Sequence, residues 1–210
     1  MARSTAKPAR RRGAGTKRAR GALYPGAIRI IGGRWRSRRL PVTAGPGLRP
    51  TPDRVRETLF NWLAPYIAGA RCLDLFAGTG ALCLEALSRG AAWVVMVERS
   101  AAVRRQLQAN IARLGAENAE IVGLDALEFL AGRAQAFDIV FLDPPFAAAG
   151  NMIRRCSEHL PHGWIRPAGL VYVEAPRVLK PLPVPTEWEY LRSGTAGQVG
   201  YHLLRIPGGG

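Results

Sequence analysis

Ile139-Val140-Phe141-Leu142 is an apolar run that leads directly into Asp143-Pro144-Pro145-Phe146. The two prolines fix the backbone and remove two N–H donors, so the turn presents carbonyl oxygens and a carboxylate, acceptors only, beside an aromatic ring. A planar amino group with two N–H donors and a stackable face suits such a nook. An exocyclic nucleobase amine meets that description, and it is a poor nucleophile because its lone pair is delocalised into the ring. Hydrogen bonds from the amine to the Asp143 side chain and the Pro144 carbonyl would return electron density to nitrogen and hold it in line for attack. Phe146 would stack on a base drawn out of its helix. A plain strand-ending turn with Phe146 in the core is the competing reading; it is not favoured for this tetrapeptide in this place.

Open parallel sheets bind ligands outside the carboxyl ends of their strands, and three more acids stand at the ends of short apolar runs. The first opens Asp74-Leu75-Phe76-Ala77-Gly78-Thr79-Gly80, where glycines permit tight bending and close approach of backbone to a ligand. A dinucleotide loop would need a third small residue where Cys83 stands, and Asp74 would set a carboxylate near the pyrophosphate, which costs electrostatic energy. A cationic ligand gains from the same carboxylate. S-adenosylmethionine, with a sulfonium and an ammonium, is such a ligand. Glu98 comes 20 residues after Gly78, the place for a carboxylate that accepts two ribose hydroxyls. Asp125 can accept from an adenine amino group; with Glu128 it also spells a helix capping box, and the two roles are compatible. Each acid alone could be a solvated strand-end residue. Asp74, Phe76, Gly78, Gly80, Glu98, Asp125 and Ala126 form the candidate cofactor set, and Asp143, Pro144, Pro145 and Phe146 the candidate catalytic set.

The elements that must position these groups follow from hydrophobic periodicity. Strands are expected at Arg71 to Leu75, Trp93 to Val97, Glu120 to Val122, Asp138 to Leu142 and Leu170 to Val173, with helices starting near Thr79, Ala101, Asp125 and Asn151. Val103, Leu107, Ile111 and Leu114, closed by Gly115, show the helical spacing most clearly. Continuous apolar strands between helices imply a parallel sheet covered on both faces. Trp188 to Leu191 and His202 to Ile206 alternate about a Gly-rich Ser193 to Gln198, which predicts an antiparallel pair finishing the sheet. Upstream, Thr51-Pro52-Asp53 reads as N-cap, first helical position and acidic first turn, ahead of an apolar stripe through Val55, Leu59, Trp62, Leu63 and Tyr66. Ile28 to Leu40 reads as two strands about Gly32-Gly33, a hairpin with one cationic face.

The chain has 210 residues and a formal net charge of +15. Residues 1 to 52 hold 14 basic side chains and no acid, so the remainder is a nearly neutral globule carrying a basic arm. With 48% hydrophobic residues it can build a core, and the asymmetry suits a nucleic acid or an anionic membrane surface. Residues 1 to 26 bury too little apolar surface to offset their ordering entropy and are expected to be a disordered basic tail. Residues 27 to 50 then form a basic hairpin and loop, and 51 to 210 the main domain. No apolar stretch approaches the roughly 20 residues of a membrane helix, and no apolar core follows the N-terminal charges. That start shares its Arg-rich, acid-free character with organelle transit peptides. Three cysteines without a C-x-x-C pair fit a reducing cytosol. Cys156, His159 and His162 lack a fourth ligand and read as a helix end, so no metal is expected.

Arg29-Ile30-Ile31-Gly32-Gly33-Arg34-Trp35-Arg36, Leu48-Arg49-Pro50-Thr51, Arg54-Val55-Arg56-Glu57-Thr58-Leu59-Phe60-Asn61-Trp62-Leu63, the Asp74 to Gly80 loop and Asp143 to Phe146 together resemble the bacterial RsmD family of small-subunit ribosomal RNA guanine-N2 methyltransferases. The likeness runs from about Ala27 to Ile206. It implies a Rossmann-like class I methyltransferase fold, a seven-stranded mostly parallel sheet with an antiparallel C-terminal hairpin, and S-adenosyl-L-methionine as cofactor. It further implies that the N2 amine of guanine 966 in 16S ribosomal RNA, or in the assembling 30S subunit, is the target, with Arg29, Arg34, Trp35, Arg36, Arg38, Arg39 and Arg49 meeting the RNA. Arg49 and Thr51 are placed to face either the cofactor carboxylate or the RNA. The residues alone leave guanine and adenine equally open, along with a DNA amine, a glutamine amide of a protein, or a non-catalytic nucleic-acid-binding module. A cytoplasmic monomer is the expectation.

Overall fold

The computed structural model describes residues 26–43 and 51–208. The expected tail to residue 25 and the Leu48-Arg49-Pro50 segment lie outside the described residues. Nine strands and five α-helices occur among the described residues, in the order β1 Ala27–Arg29, β2 Arg39–Pro41, α1 Asp53–Trp62, β3 Arg71–Asp74, α2 Ala81–Ser88, β4 Trp93–Val97, α3 Ala101–Leu114, β5 Ala119–Val122, α4 Ala126–Leu130, β6 Phe137–Leu142, α5 Ala149–His159, β7 Ile165–Pro176, β8 Glu189–Ala196 and β9 Val199–Arg205. A 3-10 turn, Phe146–Ala148, leads into α5.

The main sheet has strand order β5-β4-β3-β6-β7-β9-β8. β3 to β7 run parallel, and β9 pairs antiparallel with both β7 and β8. This is the class I methyltransferase architecture. Successive strand residues point to opposite faces, and both faces of the central strands are covered, so their middles are apolar. Cys72, Val94, Met96, Ile139 and Phe141 join the core shared with α1, α2 and α3. Leu73, Val95, Val97, Val140 and Leu142 join the core shared with α4 and α5. β7 is far longer than Leu170 to Val173, because it pairs with Phe137 of β6 at its start and with Val199 of β9 at its end. The C-terminal strands likewise extend to Ala196 and Val199, leaving a two-residue turn at Gly197 where a longer loop was expected.

The N-terminal hairpin differs from its expected form. Its ladder is only Ala27–Pro41, Ile28–Leu40 and Arg29–Arg39, and Gly32-Gly33 is a docking point instead of the hairpin turn. Gly33 has φ +74 and lies so close to the Ser88 carbonyl that a side chain would collide with that oxygen. The Arg34 N–H donates to Ser88 O at 2.7 Å, the Trp35 N–H to Ser88 Oγ at 2.9 Å, and Ser88 Oγ to Gly32 O at 2.6 Å. Beneath this clasp, Glu85 accepts the Ile31 and Gly32 N–H groups at 2.7 and 2.8 Å and Arg89 Nε at 2.7 Å. Arg56 Nη1 lies 3.7 Å from Glu85, and Arg56 Nη2 donates to Asp53 Oδ1 and the Arg29 carbonyl. Both Arg56 and Glu85 are buried. The extension is therefore part of the main core.

Candidate active site

Because β3 to β7 are parallel and adjacent, their carboxyl ends open on one edge, where a cleft of about 1090 Å³ is lined by residues following each strand. Asp74, Glu98, Asp125 and Asp143 all face this one space, together with Phe76, Gly78, Ala126 and Pro144-Pro145-Phe146. The expected cofactor and catalytic sets thus meet; Gly80 shapes the loop without lining the cleft.

Asp74 is 2% exposed, and its Oδ1 accepts the Phe76 N–H at 3.1 Å. Burial pushes its carboxyl up to about 7 against that hydrogen bond, with Glu98 and Glu174 adding to the rise. Glu98 clamps the glycine loop, its Oε2 accepting Gly78 N–H at 3.1 Å and its Oε1 accepting Ser100 N–H at 2.7 Å. Gly80 has φ +77 and a side chain there would collide with Leu107; the loop runs on to Gly80 and α2 begins at Ala81, two residues beyond the expected start at Thr79. Asp125 forms both halves of the capping box with Leu127 N–H and Glu128. Asp143 is half-buried; burial, then the charges of Glu174 and Asp74, push its carboxyl well above the usual range.

Thr51 and Glu174 join the expected acids in the cleft, Thr51 already a candidate from the sequence and Glu174 not. Thr51, expected as the N-cap of α1, makes no capping bond; Pro52 holds the cap position. The Thr51 hydroxyl instead turns into the cleft, donating to Glu174 Oε1 at 2.9 Å with Asp143 Oδ2 at 3.5 Å. Glu174, 4% exposed, also accepts from Tyr172 Oη at 2.8 Å. The signal for Glu174 was present in the rule that found the other four acids: it stands near the carboxyl end of the fifth parallel strand.

Of the residues expected to meet RNA, Arg29, Arg34, Arg36, Arg38 and Arg39 are exposed. Arg29 is ion-paired with Asp53 at 2.9 Å, and Arg38 donates to the Arg113 carbonyl. Trp35 departs from the expectation. It is 6% exposed and packs in the core with Ile28, Ile30 and Leu40, so its ring offers no platform to a base; it anchors the arginines on either side. Arg49 lies outside the described residues. Cys156, His159 and His162 fall at the end of α5, Cys156 buried, and no group of three metal-ligating side chains occurs among the described residues. No helix among the described residues is long and apolar enough to cross a membrane.

The model of a family described as Conserved hypothetical protein 95 matches residues 28–205, which takes in the docked hairpin as well as the whole sheet. The ribosomal RNA small subunit methyltransferase D of Escherichia coli is 52% identical over 86% of this chain and 90% of its own. The chain belongs to the ribosomal RNA small subunit methyltransferase D family. The Haemophilus influenzae methyltransferase D is 46% identical over 86% of this chain and 94% of its own. The solved structure of the Escherichia coli methyltransferase yhhF superposes with a TM-score of 0.79 at 50% identity, covering 88% of this chain and 100% of that one. Methyltransferase D relatives thus share the length of the described fold.

Proposed function

We propose that the protein transfers a methyl group from S-adenosylmethionine to the exocyclic N2 amine of a guanine in small-subunit ribosomal RNA, as 16S RNA or within the assembling 30S subunit. The observation that carries this reading is the convergence of the Asp143-Pro144-Pro145-Phe146 acceptor turn with carboxylates from neighbouring strand ends in one cleft, in a member of this family. The donor set fits the cofactor: buried acids match its positive groups, and the glycine loop lets backbone approach.

When bound, S-adenosylmethionine supplies an electrophilic methyl group. Asp74 offers negative charge to its cationic end, Glu98 offers acceptor sites to ribose hydroxyls, and Asp125 to the adenine amine. Glu98 can do so while clamped, since a carboxylate has about four acceptor sites and the loop uses two. Asp143 and the Pro144 carbonyl accept the two N–H groups of the target amine and return electron density to nitrogen. Phe146 stacks on the extruded base. Transfer would break the methyl–sulfur bond as the N–C bond forms, leaving the neutral thioether; the nitrogen then gives up one proton, and Asp143, held above the usual carboxylate range, is placed to take it.

Asp74 sets a pH dependence. Its carboxyl is neutral below about 7 and charged above, so affinity for S-adenosylmethionine should rise from pH 5.5 to 7 by at most about tenfold per pH unit. For folding the sign is reversed: a raised carboxyl contributes stability that is full below its ordinary value and is lost as pH rises through about 7. Calorimetric titration at several pH values checks this, and Asp74→Asn should bind weakly with a flat profile. A steep profile in that variant would assign the titration elsewhere.

The exposed arginines of the hairpin should hold RNA through phosphate. Replacing Arg34 and Arg36 by Gln should weaken binding similarly for all sequences and reduce the salt slope by about 0.9 per lost contact. An unchanged slope in filter-binding assays would remove them from the interface. The proposed activity itself is tested in cells: small-subunit RNA from a strain lacking the protein should lose one N2-methylguanosine, and an unaltered nucleoside profile would overturn the reading.

A further inference from the structure

Acceptors for the target amine do not by themselves choose between purines. On the Watson–Crick edge, guanine presents N1–H beside its N2 amine, two donors in a row. Adenine presents N1 as a bare acceptor beside its N6 amine, and so does 2-aminopurine beside its N2 amine. A site that selects guanine needs a second acceptor adjacent to Asp143.

The sheet register provides one. β6 and β7 pair in parallel with Phe141 opposite Tyr172 and Leu142 opposite Val173, so the next pair in register is Asp143 beside Glu174. Neighbouring strands lie about 4.8 Å apart, and residues of like parity point to the same face. Phe141 and Tyr172 confirm the parity, since both lie on the α1 face of the sheet. α1 then brings Thr51 over the pair, and its hydroxyl reaches both carboxylates, at 2.9 Å for Glu174 and 3.5 Å for Asp143. Tyr172 Oη donates to the same Glu174 oxygen at 2.8 Å, so two hydroxyls fix the orientation of this side chain. Both acids line the cleft.

We infer that Glu174 is the specificity-determining residue for guanine, accepting N1–H of the base whose N2 amine is held by Asp143. The inference rests on the guanine-N2 reading of the same cleft and adds to it the group that rejects other purines. A base with an acceptor at N1 turns a lone pair toward the Glu174 carboxylate, so repulsion replaces the hydrogen bond that guanine makes. Sites built to hydrogen-bond a substrate donor discriminate strongly against analogues that lack it.

The test keeps the reacting amine and changes only N1. Small-subunit RNA carrying 2-aminopurine at the methylated position is compared with the guanine form for the native protein and for Glu174→Gln, with S-adenosylmethionine binding measured alongside by calorimetry. The native protein should favour guanine by at least about 100-fold in kcat/KM. An amide in place of the carboxylate can donate to a bare N1, so E174Q should bring the preference to within about tenfold, losing guanine activity and gaining 2-aminopurine activity. A native preference below about threefold overturns the inference without recourse to any variant. So does an unchanged preference in an E174Q protein that binds S-adenosylmethionine normally. Absence of N2-methylguanosine from guanine RNA treated with the native protein is a separate failure, which removes the guanine reading and this inference together.

Discussion

Asp143→Ala should reduce the single-turnover rate of methyl transfer by about 10²–10³-fold, the loss typical of removing one preorganised hydrogen-bonding group aimed at the reacting centre. Affinity for S-adenosylmethionine should change little, because the variant leaves Asp74, Glu98 and Asp125 in place. Stability should not fall. Asp143 is pushed up by burial and by the charges of Glu174 and Asp74, so its removal relieves repulsion, and the apo protein should melt at the same or a higher temperature above neutral pH. Asp143→Asn keeps a carbonyl acceptor but cannot take a proton; it should retain more activity than the alanine variant and lose the acidic limb of the pH-rate profile. Rapid-quench transfer assays and thermal melts check both. Transfer by Asp143→Ala within tenfold of native would mean that the amine is held elsewhere.

Glu85→Ala should be the most destabilising single change, at about 3–5 kcal/mol, the usual cost of stranding one member of a buried ion pair. Removing the carboxylate leaves Arg56 buried with only Asp53 and a carbonyl for its charge, and strips the acceptor from the Ile31 and Gly32 N–H groups. At roughly 2–4 °C per kcal/mol for a chain of this size, melting should fall by about 10 °C. The double variant Arg56→Met/Glu85→Leu should recover much of that loss, because neither charge is then stranded. RNA affinity should also drop in Glu85→Ala, since the hairpin that carries the exposed arginines is pinned by this residue, while cofactor affinity stays constant. A loss below about 1 kcal/mol by denaturant titration would show that the hairpin is held by its apolar residues alone.

The parallel sheet could be read because its strands are short apolar runs separated by periodic helices, and four of the five cleft acids because each follows such a run. Contacts between distant segments could not. The propensity pattern around Gly32-Gly33 is that of a hairpin turn, and only the approach of Ser88, more than fifty residues away, turns it into a clasp. Trp35, flanked by arginines, has the local look of an RNA-stacking residue; burial against α2 is a tertiary outcome. Thr51-Pro52-Asp53 has good capping chemistry, yet the hydroxyl finds Glu174 and Asp143 instead, a partner choice fixed by where α1 crosses the sheet. Glu174 directly follows the run Leu170 to Val173 and so meets the same rule as the other acids; what that run does not encode is the pairing with β9 that carries β7 past it to Pro176.

Methyl transfer to a guanine N2 amine is read out by following labelled methyl groups into RNA. The protein is incubated with methyl-labelled S-adenosylmethionine and unmodified small-subunit RNA or subunits, and the RNA is digested to nucleosides and separated. The label should appear as N2-methylguanosine and be lost with Asp143→Ala. Label in N6-methyladenosine, in protein, or in no nucleoside at all would rule out guanine N2 as the acceptor.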